Sequence, residues 1–183
     1  MTSDLQARSA PTSVDIVGSS ILVHPHSGIS TGVWTFTAWQ YIASPNGDQQ
    51  KLLLLNTYPI SLLSDWSAIV CFDGLAGLVR DDPTGLCNGT TTLPLAFDRW
   101  VEIRVVIDLD QATQAFYYDG ELLYQDSWAA HVECCGALAF AAVELFANNA
   151  VSSAFYDDLS LSGLPFTDGF ESGDTRWWSS AVP

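Results

Sequence analysis

The sequence predicts an all-β domain, an antiparallel β-sandwich, and three observations predict it. Short runs rich in β-branched, aromatic and leucine residues recur through the 183 residues, separated by turn residues. No stretch carries a long amphipathic helical pattern. One run, residues 100–109, puts Val101, Ile103, Val105, Ile107 and Leu109 on one face and Glu102, Arg104, Val106 and Asp108 on the other, the period of a half-buried strand.

The strands follow in order at 20–24, 33–42, 51–57, 67–72, 100–109, 113–118, 121–125, 138–146 and 154–161. Runs such as KLLLLNT and SAIVCF have strand length and strand composition. In 33–42, Trp34, Phe36, Ala38 and Ile42 share a core face, while Thr35, Thr37, Trp39 and Tyr41 form a partly wet face of hydroxyls and rings. Asp108-Leu109-Asp110-Gln111-Ala112 and Asp119-Gly120 read as hairpin turns, the second a two-residue turn of the type that Asp-Gly favours. Nine or ten such strands make one sandwich or jelly roll, over residues 1–163, followed by a tail, 164–183.

Composition excludes several functions. Hydrophobic content of 48% and seven Trp describe a packed chain, and no apolar run approaches the ~20 residues of a membrane helix. Six Lys and Arg stand against 21 Asp and Glu, for a net charge of −15, and Lys51 is the only lysine. Nucleic acid and anionic membranes need clustered cations, so neither is an expected partner. The start, MTSDLQARSA, is no signal peptide.

Cys71, Cys87, Cys134 and Cys135 have no zinc-ligand spacing, and two disulfides are expected. Cys71 and Cys87 each have a member of the Cys134/Cys135 pair, or each other, as candidate partner. Disulfides imply an oxidising compartment, so the protein is expected outside the cell. Asn88-Gly89-Thr90 is a glycosylation sequon wherever the host uses one.

The segments GVWTFTAWQYIAS, KLLLLNTY, WVEIRVVIDLDQATQAFYYDGELLY and AAVELFANNAVSSAFYDDLSL together resemble the concanavalin A-like, laminin-G-like jelly-roll modules of bacterial secreted proteins, over about residues 7–162. The resemblance implies a secreted sugar-binding, adhesive or enzyme-appended module. It places a strand like DGFESGDTSGW just upstream of ARSAPTSVDIV, which here is residues 7–17. In this chain DGFESGDTRWW stands instead at 168–178, and Phe166, Phe170, Trp177 and Trp178 make the tail apolar enough to dock. Docking in cis makes it an edge strand of its own domain. Docking in a neighbouring subunit makes a head-to-tail filament.

The resemblance also implies a structural calcium, held by Asp157 or Asp158 in FYDDLSL and by Glu171 in the FESG strand, with backbone carbonyls completing the shell. Asp108-Leu109-Asp110 lacks the later ligands and the glycine of a calcium loop, and His24-Pro25-His26 lacks a third metal ligand. Related retaining β-glucanases carry E-x-D-x-E, where this chain has Glu102-Ile103-Arg104. Glu102 and Glu144 remain as acids that an unfamiliar hydrolase would set opposite each other. Neither G-x-S-x-G nor the QIH strand of alginate lyases occurs.

For sugar recognition, Trp39, Tyr41 and Tyr117, with Glu102, Arg104 and Glu144, make a concave patch in which rings stack on sugar faces and polar groups fix hydroxyls. Trp34, Trp66, Trp100 and Trp128 read as packing residues. The expected function is therefore a non-catalytic extracellular module acting in assembly or adhesion, with a homo-oligomer or filament built through the tail. The alternative is a polysaccharide-binding, lectin-like module, with a hydrolase or lyase behind both.

Overall fold

The computed structural model describes residues 2–59, 66–129, 137–148 and 150–163. Thirteen strands occur among them: β1 (Thr2–Ser3), β2 (Ser13–Gly18), β3 (Ile21–Pro25), β4 (Val33–Ile42), β5 (Gln49–Leu55), β6 (Trp66–Asp73), β7 (Leu78–Asp81), β8 (Thr92–Pro94), β9 (Trp100–Asp108), β10 (Thr113–Tyr118), β11 (Glu121–Ser127), β12 (Ala142–Ala147) and β13 (Ala150–Gly163). Seven form one sheet in the order β1-β2-β13-β4-β9-β10-β11, and six form the other in the order β3-β12-β5-β6-β7-β8. Neighbours within each sheet pair antiparallel, as the sequence predicts.

The alternation in β4 and β9 does what it implies. Phe36, Ala38 and Ile42 meet Val101, Ile103, Val105 and Ile107 between the sheets, all at most 2% exposed. Leu52, Leu54, Val70 and Phe72 supply the facing layer. Each such large side chain contributes roughly 1.5–3 kcal/mol on leaving water. Trp128 is fully buried, stacks on Phe140, and donates its indole N–H to the Ala139 carbonyl at 3.0 Å. The Asp119-Gly120 turn has positive φ at both residues, 52° and 83°, the conformation that a tight hairpin between twisted strands needs.

Sequence patterning misses β1, β2, β7 and β8. These are two to six residues long, too short for a period to register, and tertiary pairing alone makes them strands. The run at 138–146 becomes a strand only from Ala142, because the chain first turns Phe140 inward against Trp128. Strand β13 is 14 residues long and bulges where Asp158 takes φ 47°, a conformation that Asp tolerates better than most residues. Cys71 pairs with Cys87. Cys134 and Cys135 lie outside the described residues, as do Glu171, Phe166, Phe170, Trp177 and Trp178.

Candidate functional site: a cleft on the outer face of the six-stranded sheet

The outer face of a two-sheet sandwich is normally polar, yet β5 reads KLLLL and β6 reads SAIVCF without a polar alternation. The outward residues Leu53, Leu55, Ile69 and Ala142 form a second apolar cluster outside the main core, with Val23, Trp66 and Phe146 packed on it. A loop, residues 82–91, is tied across this face by the disulfide from its Cys87 to the outward-pointing Cys71 of β6. Gly89 fits there because a Cβ at that position would run into the Asp81 carbonyl.

Between loop and sheet opens a cleft of about 410 Å³. Trp66, Phe146, Leu53 and Leu86 give it apolar walls, and Gln49, Lys51, Glu144 and Asn148 bring polar groups. The ladder sets the spacing: Glu144 lies opposite Leu53 and Val23, Phe146 opposite Lys51, and Lys51 opposite Cys71. Lys51 is held by the loop, its ammonium bonded to the Gly85 carbonyl and 3.3 Å from the fully buried carboxylate of Asp82. Asp82 also accepts the Cys87 N–H at 2.7 Å. Lysine, acid and disulfide thus fix one wall.

Glu144 is 7% exposed, and its carboxyl has no hydrogen-bond or ion-pair partner among the described residues. Desolvation raises its pKa above the ordinary glutamate range. A carboxyl with a raised folded-state pKa binds its proton more tightly in the native chain than in the unfolded one. Stability is therefore expected to fall as pH rises from the unfolded to the folded pKa, and to level off above it. Glu144→Gln should remove that slope and raise the melting temperature at neutral pH, as read by thermal melts across pH. An unchanged slope would mean that Glu144 has a charge partner in solution.

The patch expected from sequence divides. Trp39, Tyr41, Glu102, Arg104 and Tyr117 do share the outer face of the seven-stranded sheet, with Trp39 opposite Glu102 and Tyr117 opposite Arg104. Glu144 does not join them. Strand β12 belongs to the other sheet and turns this side chain away from the core, so the thickness of the sandwich separates Glu144 from Glu102 and they are not an opposed pair. The rings are also covered: the Arg8 guanidinium lies 3.7 Å from the Trp39 ring centroid, and that of Arg104 lies 3.9 Å from the Tyr117 centroid. Tyr41 is flanked by Trp100 and Phe155. Trp66, read as packing, is the tryptophan that lines the cleft. The unbroken LLLL run was the signal for a covered outer face.

Asp157 and Asp158 are committed within the protein. Asp157 accepts the Arg8 and Ser9 N–H groups at 2.8 and 3.0 Å, and Asp158 takes the Arg8 guanidinium and the Ser9 hydroxyl. These bonds hold the Asp158 pKa below the ordinary range, the Ser9 bond contributing most. Glu171, the remaining residue of the expected calcium set, lies outside the described residues. Within them the clasp pins the segment before β2. Asp157→Ala is expected to leave the core melting transition in place while hastening proteolysis within residues 2–11. Equal cleavage rates would show that β1 pairing alone holds the segment. His24 and His26 stack edge to face at 4.8 Å, and His26 packs on Phe140.

No protein-family model and no curated protein matches the chain. Solved structures do match its fold. A sialidase superposes with a TM-score of 0.59 at 7% identity, over 84% of this chain and 15% of the sialidase, so this chain spans a small part of that protein's length. The alginate lyase AlyC3 gives 0.57 at 10% identity, covering 84% of this chain and 75% of the lyase. The carbohydrate recognition domain of Emp47p gives 0.55 at 12%, over 89% and 87%. At these identities the likeness is one of fold. The protein is an antiparallel β-sandwich of two sheets, a fold it shares with the alginate lyase AlyC3 and with the carbohydrate recognition domain of Emp47p.

Proposed function

We propose that this chain is a secreted, non-catalytic carbohydrate-binding module of laminin-G-like type, and that its ligand is a neutral glycan held in the cleft on the six-stranded sheet. The observation that carries this is the pairing of Trp66 and Phe146 with a nearly buried, unpartnered Glu144 in one cleft. Rings offer stacking surfaces to the apolar faces of sugars, and Glu144, Gln49 and Asn148 offer hydrogen-bonding groups to hydroxyls. The names of the Emp47p domain and of AlyC3 place saccharide recognition on the same fold elsewhere.

Charge argues for a neutral ligand. Each of the five described cations already has an acidic partner: Arg8 with Asp158, Lys51 with Asp82, Arg80 with Asp73, Arg99 with Asp119 and Arg104 with Glu102. A polyuronate would meet a surface of net charge −15 and the Glu144 carboxyl. Glu144 is also the one carboxylate among the described lining residues, while two-carboxylate glycoside hydrolysis needs a second about 5–9.5 Å away. The disulfide favours an oxidising, extracytoplasmic setting.

The test is retention of the full chain on immobilised neutral polysaccharides beside alginate and pectate, with assays for new reducing or unsaturated ends. Retention on neutral matrices without turnover is expected. Retention on the uronates alone, or turnover lost in Glu144→Gln, would overturn the proposal. A second reading, assembly into homo-oligomers, is favoured by one separate observation: the end of β13, paired with β4 on one side, has no described strand on its β2 side beyond Tyr156.

A further inference from the structure

Two imidazoles stand side by side on the border of the six-stranded sheet. Strand β3 ends that sheet, and His24 lies on it opposite Val143. His26 follows directly, and its backbone N–H continues the ladder to the Ala141 carbonyl at 2.7 Å. Residues two apart on a strand share a face, so both rings come to the same side, their centres 4.8 Å apart. Pro25 between them lacks an N–H, which an edge strand tolerates.

Neither ring makes a side-chain hydrogen bond or an ion pair among the described residues, so the ring nitrogens are uncommitted. One ring is held in place. His26 is half-buried and packs on Phe140 with ring centres 5.1 Å apart, and Phe140 stacks in turn on the fully buried Trp128. The other, His24, is exposed, and its ring turns about χ2, a broad torsion, without moving its centre far.

We propose that His24 and His26 together bind a divalent transition-metal ion, copper(II) most tightly, with water completing the coordination shell. The spacing fits such a chelate. An ion about 2.0–2.1 Å from a ring nitrogen lies about 3.2 Å from the ring centre, so two rings at right angles around it have centres about 4.5 Å apart, and at the tetrahedral angle about 5.2 Å. The observed 4.8 Å falls between the two. Binding therefore needs a rotation of rings and no movement of the strand.

The donors choose the metal. Imidazole nitrogen suits copper, nickel and zinc rather than calcium or magnesium, and copper(II) heads the affinity order of the divalent series. No third His, Cys, Asp or Glu joins the pair among the described residues, so the remaining positions fall to water, as in an open site. Both histidines line a cleft of about 520 Å³, which has room for those waters. A net charge of −15 also raises the concentration of cations at the surface.

The test is a titration of the untagged full-length chain with copper(II) chloride, followed by calorimetry and electron paramagnetic resonance, with circular dichroism to check folding. Wild type should bind one ion whose spectrum carries the nitrogen hyperfine splitting of imidazole ligands, and nickel and zinc should bind more weakly. His24→Ala and His26→Ala should each weaken copper binding roughly a hundredfold, because two linked donors hold an ion far better than either alone. His131, the third histidine, is the control, and His131→Ala should bind copper as wild type does. Where His26→Ala loosens the packing on Phe140, the exposed His24 decides alone. A wild-type chain that takes up no copper, or a His24→Ala variant that binds it as tightly as wild type, overturns the inference. Loss of binding in His131→Ala overturns it too.

Discussion

Converting both Cys71 and Cys87 to alanine is expected to destabilise the domain by about 3 kcal/mol and to weaken glycan binding in the same protein. The bond closes a loop of sequence separation 16, and the chain entropy it removes from the unfolded state is worth roughly 3 kcal/mol at that length. For a chain of this size that corresponds to a fall in melting temperature of roughly 6–12 °C. Binding should follow because the loop it anchors supplies Gly85 and Leu86 to the cleft wall and holds Lys51 through Gly85 and Asp82. The two readouts separate two roles. A lower melting temperature with unchanged affinity would mean that the loop is a staple only. An unchanged melting temperature in the variant would mean that the bond contributes little constraint to the unfolded chain.

Trp66→Ala is expected to reduce glycan affinity by roughly tenfold or more, and Trp39→Ala to leave it unchanged. One lost stacking surface is worth about 1.4 kcal/mol where a sugar ring covers it, which is a factor of ten in the dissociation constant. The contrast between the two tryptophans matters more than the magnitude. Trp39 already carries the Arg8 guanidinium on its ring, whereas Trp66 is half-buried on the cleft wall. Affinity gels on the matrix that retains wild type would measure both. Loss in Trp39→Ala with none in Trp66→Ala would return the site to the seven-stranded sheet.

Legibility differed between fold and site for reasons visible in single residues. Strands β4 and β9 were readable because a period of two over nine or ten residues has no competing explanation, and the Asp119-Gly120 turn because only a few residue pairs accept two positive φ values in succession. Strand β8, three residues ending in Pro94, carries no periodic signal and exists through its pairing with β7. The patch of rings and polar groups expected from sequence was half readable. Periodicity correctly grouped Trp39, Tyr41, Glu102, Arg104 and Tyr117 on one face, because all lie on strands of one sheet. It had no means of assigning Glu144 to a sheet, since strand order is set by which edges meet after the chain has crossed between layers. Nor does any spacing reveal that Arg8, 31 residues before Trp39, would come to lie on its ring.

What the sequence determined by itself is therefore the fold class, the inward face of each long strand, and a charge balance that leaves little room for polyanionic partners. These follow from local properties: side-chain period, turn chemistry and the sum of charges. Only the tertiary structure decided that Cys71 meets Cys87, that Asp157 and Asp158 close on Arg8 and Ser9, and that Lys51, Trp66 and Glu144 line one cleft. Each of those contacts joins residues on different strands or loops. Their meeting depends on strand order and register, which the buried area of the whole sandwich selects and no short stretch encodes.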